Sequence, residues 1–116
     1  MKKELSLLGL AKRAGRLAVG NDAVSEALHT GRARLLILAE DAAENTVRRF
    51  SNRHGEVPLR TLPCSKETLG SAIGYKSCAA AAICDEGFAQ AFEKAREASM
   101  PPENDPNQST DSPKNT

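Results

Sequence analysis

Residues 31–41 read GRARLLILAED, and the middle of that stretch decides the fold. Leu35-Leu36-Ile37-Leu38-Ala39 is an apolar run without alternation, bounded by charged groups. A half-exposed strand alternates apolar and polar residues, so an unbroken run this short suits a strand covered on both faces. Helices must then lie above and below it. Upstream, Leu5, Leu8 and Ala11, with Leu7 and Ala14 beside them, recur at helical spacing, and Gly15 stops that first helix. Arg16 to Val19 is a short extended piece. Gly20-Asn21-Asp22 reads as a turn and helix N-cap, and the stripe Ala23, Val24, Ala27, Leu28 ends at Gly31.

Downstream, a helix is expected over about 42–54, with Val47 and Phe50 inward and Arg48, Arg49 and Arg53 outward. Glu40 and Asp41 read as the capping pair for it. Val57 to Leu62 is a second strand, in which Pro58 favours the first residue or an unpaired edge. Ser65 caps a short helix closed by Gly74, Ala79 to Cys84 is a small-residue strand, and Asp85 caps a last helix lined by Phe88, Ala91, Phe92 and Ala95. Helices and strands alternate throughout, which predicts an α/β fold, a three-layer α/β/α sandwich.

Composition bounds the rest. The 116 residues make one domain over 1–98, followed by SMPPENDPNQSTDSPKNT at 99–116, a Pro/Ser/Asn-rich segment too poor in apolar area to order itself. The chain carries 16 Lys+Arg against 15 Asp+Glu; without the tail the balance is 15 to 12, a mild basic bias. No apolar run approaches the roughly 18–20 residues that cross a bilayer, so no membrane partner is expected. Cys64, Cys78 and Cys84 form no C-x-x-C, and the lack of an export signal fits a reducing, cytoplasmic setting. Each cysteine reads as a small buried hydrophobe.

Catalytic signatures are missing. Neither G-x-x-x-x-G-K-[ST] nor G-x-G-x-x-G occurs, and there is no G-x-S-x-G. His29 and His54 read as ordinary histidines. Glu40 and Asp41 could hold a metal at a sheet edge, but no cofactor or metal site is expected. Three Phe, one Tyr and no Trp exclude a base-stacking platform. What remains is the basic segment Lys12-Arg13-Ala14-Gly15-Arg16 followed by the Gly20-Asn21 turn. Glycine allows close backbone approach, and a helix start offers free N–H groups to phosphate. Simple helix capping explains the same residues on spacing alone.

LGLAKRAGRLAVG, GRARLLILAEDAAENT (31–46), LGSAIG (69–74) and AICDEGFA (82–89) together resemble the ribosomal kink-turn-binding superfamily, large-subunit proteins seven-Ae and thirty-e, in its bacterial YlxQ-like branch. The resemblance implies a sandwich around a small mixed four-stranded sheet, no catalysis, and binding of kinked, structured RNA. It places the RNA-reading surface at Gly20, Asn21, Asp22, Ala23 and Glu26 and at the loop Tyr75, Lys76, Ser77 and Cys78. RNA-binding members show Gly-x-Asn-Glu-x-x-Lys; this chain has Asp22 for Asn, Ala23 for Glu and Glu26 for Lys. Those changes remove an amide donor and reverse a charge against phosphate, leaving Lys12, Arg13, Arg16, Arg32 and Lys76 for a more electrostatic contact. The alternative is a protein-interaction module of the transcription or translation machinery that has lost RNA recognition.

Overall fold

The computed structural model describes residues 2–99. Leu35–Ala39 (β2) is buried along its whole length, as its composition requires. Its period-two alternation divides two cores. Leu35, Ile37 and Ala39 face one layer of helices, Lys2–Arg13 (α1), Lys66–Ile73 (α4) and Glu86–Ser99 (α5). Leu36 and Leu38 face the other, Asn21–His29 (α2) and Glu44–Arg53 (α3). Ala80–Ile83 (β4) pairs antiparallel with β2, and its alanines leave room for helices on both faces. Leu59–Leu62 (β3) runs parallel to β2, and Leu17–Val19 (β1) pairs antiparallel with β4. The sheet is mixed and four-stranded, in the order β1-β4-β2-β3, between two helical layers.

β3 is an edge strand, consistent with Pro58 immediately before it; the Pro58 carbonyl accepts from Leu36 N–H at 2.9 Å. Ser65 Oγ accepts from Thr68 N–H, and Asp85 Oδ2 from Phe88 N–H, the caps their sequence positions predict.

Several local expectations need correction. The N-cap of α2 is Gly20, and neither Asn21 nor Asp22 caps it with a side chain. The Asp41 carboxylate accepts from Lys66 N–H at 2.8 Å, so it braces the start of α4 rather than of α3. α3 begins at Glu44, because Ala42 is still in a turn with its N–H on the Ala39 carbonyl. Val47 is 38% exposed, since Thr46 and Phe50 occupy the inward positions instead. Val57 donates to the His54 carbonyl in a turn, which delays β3 to Leu59. The expected tail lies outside the described residues except for Ser99, the last residue of α5.

Candidate nucleic-acid interface

β1 leads directly into the turn. Gly20 donates its N–H to the Ala80 carbonyl at 3.0 Å and accepts from Val24 N–H at 2.9 Å. Its φ of 95° lies in the region that favours glycine, while open space surrounds the position a Cβ would take. With no side-chain cap, the first N–H groups of α2 have no intrahelical acceptor and present the positive end of the helix.

The loop between α4 and β4 forms the other wall. Gly74 closes α4 in the left-handed conformation, and Tyr75 N–H returns to the Gly70 carbonyl at 2.8 Å. Cys78 N–H reaches the Lys66 carbonyl at 2.9 Å, which folds the loop back along the helix. The Cys78 thiol donates to the Ala80 carbonyl at 3.2 Å. One carbonyl therefore binds both walls, Gly20 from one side and Cys78 from the other. Burial pushes the Cys78 thiol up to about 11, against partial relief from the Ala80 and Gly20 backbones. Cys78 is buried within the core, so its role is to hold the loop, while Tyr75, Lys76 and Ser77 are exposed on it.

The predicted site residues divide into two groups. Gly20 meets the 75–78 loop through Cys78, the two sharing the Ala80 carbonyl, and Asn21, Asp22 and Ala23 follow it in the first turn of α2. Asn21 Nδ2 donates to Thr46 Oγ1 at 3.2 Å, which joins the start of α2 to the first turn of α3. Asp22 is exposed and Ala23 half-buried. Arg16 lies elsewhere: its carbonyl accepts from Cys84 N–H at the far end of β4. From Arg16 to Gly20 is four strand residues, about 13 Å at about 3.3 Å each. Arg13 ends α1 on that far side, and Arg32 lies there too, between the end of α2 and β2, with Glu26 at 3.6 Å. The arginines thus do not flank the Gly20 turn, contrary to the sequence expectation. Lys12, beside Arg13 at the end of α1, meets the loop instead, its Nζ 5.6 Å from the centre of the Tyr75 ring.

Two features escaped the sequence reading. Thr46 is the buried partner that orients Asn21, a contact 25 residues apart that no spacing rule reveals. The exposed face of α3 also gathers Asn45, Arg48, Arg49, Asn52 and Arg53 around one shallow groove of about 280 Å³. Its helical spacing was legible, but outward arginines read as a solvated face. Glu40 and Asp41 are both exposed, and among the described residues no group of three or more His, Cys, Asp or Glu gathers that could hold a metal ion. No helix of the described residues is long and apolar enough to cross a membrane.

The model of the Ribosomal protein L7Ae/L30e/S12e/Gadd45 family matches residues 2–93. The chain belongs to this family. Within the L7Ae family it falls in the YlxQ-like branch, being 36% identical over 85 residues to the RNA-binding protein YlxQ of Bacillus subtilis (strain 168), across 72% of this chain and 84% of that protein. The RNA-binding protein YlxQ of Enterococcus faecium is 33% identical over 91 residues, 77% of this chain and 86% of its own. A solved structure of a protein with unknown function from Bacillus halodurans C has a TM-score of 0.77 at 31% identity, with 84% of this chain and 99% of that one covered. The Giardia lamblia 15.5kD RNA binding protein, 20% identical with 84% of each chain covered and a TM-score of 0.70, shares the L7Ae-type fold.

Proposed function

We propose that the protein is a non-catalytic, cytoplasmic RNA-binding protein that takes structured RNA of the kink-turn type at the corner between the Gly20 turn and the 75–78 loop, in association with the ribosome or translation. The observation that carries this reading is the Ala80 carbonyl shared by Gly20 and Cys78, which sets an uncapped helix start against an exposed loop. Free N–H groups and a positive dipole suit a phosphate, and the glycine lets a sharply bent backbone come close. L7Ae-family membership and relatives named as RNA-binding proteins support it.

Asp22, Ala23 and Glu26 stand where RNA-binding members carry Asn, Glu and Lys, so base recognition is weaker here and more of the affinity comes from backbone contacts. Filter binding with a kink-turn RNA and a straight duplex of equal length, at two salt concentrations, tests this. A preference for the kinked RNA at low salt is expected; equal or no binding rejects the reading. Affinity purification with and without ribonuclease checks the protein-interaction alternative, which requires partners that persist after digestion.

A further inference from the structure

We infer that the outer face of α3 is a second RNA contact, a sequence-independent seat for the phosphodiester backbone as it leaves the Gly20 corner. This rests on the RNA-binding reading above. Asn45, Arg48, Arg49, Asn52 and Arg53 follow the i, i+3, i+4, i+7, i+8 spacing that puts them on one helical stripe. All five line the same shallow groove and all are exposed. From Asn45 to Arg53 the stripe runs about 12 Å along the helix, at about 1.5 Å per residue.

The charge on this stripe is little compensated. Arg48 pairs with Glu44 at 3.1 Å, an exposed pair of small worth, while Arg49 and Arg53 form no ion pair among the described residues. Guanidinium groups dock phosphate oxygens in two-pronged fashion, and the interleaved carboxamides both donate and accept, which suits ribose hydroxyls. An acidic protein surface would use the arginines but only the donor half of each carboxamide, whereas a ribose hydroxyl engages both halves.

Position links the stripe to the corner. The Asn21–Thr46 hydrogen bond fixes the start of α2 against the first turn of α3, between Asn45 and Val47 in sequence. At the other end Arg53 also borders the cleft between α2 and α3, with Ser25, His29 and Phe50. A strand seated at Gly20 therefore meets Asn45 first and the arginines next.

The test compares the full chain, the triple variant Arg48→Gln, Arg49→Gln, Arg53→Gln and the corner variant Gly20→Ala. Each is titrated with a kink-turn RNA, a straight duplex RNA and poly-L-glutamate across a salt series, after circular dichroism confirms folding. The triple variant should bind both RNAs about tenfold more weakly at low salt, with a log–log salt slope flatter by about 2–3. Unchanged affinity and slope for the triple variant overturn the inference, and the corner reading stands if Gly20→Ala still loses the kinked RNA. If Gly20→Ala has no effect while the triple variant loses both RNAs, the corner reading fails and the α3 contact holds. Tighter binding of poly-L-glutamate than of either RNA, or no RNA binding by the full chain, overturns it.

Discussion

A Cβ at Gly70 would lie 2.5 Å from the Ser77 Cα, so the 75–78 loop sits on α4 only because residue 70 has no side chain. The obstacle is backbone, which cannot swing aside as a flexible side chain would. Gly70→Ala should destabilise the protein by about 1–3 kcal/mol through overpacking. For a domain of this size that is a fall of roughly 4–8 °C in Tm per kcal/mol, readable by thermal melting. Because the loop must lift, RNA affinity should fall even at temperatures where the variant remains folded. A Tm equal to that of the parent would contradict the close packing.

Gly20 presents the opposite case, since there is space around it but an unfavourable backbone for any other residue. Gly20→Ala should cost about 1–3 kcal/mol, because φ 95° with ψ 161° is a region open essentially to glycine alone. The same substitution at Gly9, whose Cβ would meet the Ala72 carbonyl at 2.8 Å, should act by prising α1 from α4 instead. Chemical denaturation of both variants separates the effects: RNA affinity should suffer at Gly20 and not at Gly9.

Restoring the family pattern with Asp22→Asn, Ala23→Glu and Glu26→Lys should strengthen binding to a kink-turn RNA by tenfold or more, on the order of 1–3 kcal/mol for a recovered set of base contacts and charge. Binding to a straight duplex should change far less. Equal gains for both RNAs would show that charge alone is at work.

Glu93 joins two elements, accepting from Arg60 Nε and Nη2 at 3.0 and 2.7 Å and from Arg96 Nε at 3.1 Å. The Arg60 hydrogen bonds hold its carboxyl below the usual glutamate value, with Arg96 adding to them and burial opposing. A depressed carboxyl stabilises the folded chain above the ordinary glutamate range and loses that contribution as pH falls through its folded value. Glu93→Gln should therefore cost about 1–2 kcal/mol at pH 7, a figure reduced for partial exposure, with the gap to the parent closing below about pH 4. Melting curves from pH 3 to 7 read the difference directly.

Cysteine labelling probes the loop. Burial pushes the Cys78 thiol up to about 11 and also raises Cys64, whereas Cys84 is partly exposed. Iodoacetamide at pH 8 should modify Cys84 first and Cys78 only when the loop opens, as mass spectrometry of timed samples would show. RNA bound at the corner should slow Cys78 further.

Much of the fold was legible because its signals are local. The Leu35–Ala39 run, the Ser65 and Asp85 caps and the Gly74 stop each depend on neighbours within a few residues, and the structure bears them out. Val47 was misread because a ten-residue helix with one narrow apolar side offers little to distinguish Thr46 from its neighbour. Asp41 was misassigned because its acceptor role is played across 25 residues, toward Lys66. The arginines illustrate the same limit at the site. Arg16 and Gly20 are close in sequence, but an extended strand converts four residues into a large separation, whereas the return of the chain at Ala80 brings Cys78 to Gly20 from far along it.

The doubly bonded Ala80 oxygen has a mechanical corollary. Neither jaw of the corner can swing without dragging a donor off the same anchor, so the gap between them is preset rather than closed around a guest. On the RNA-binding reading proposed above, a ribonucleotide bend would have to arrive there with the right curvature, and selection would fall on the shape of the nucleic acid rather than on movement of the protein.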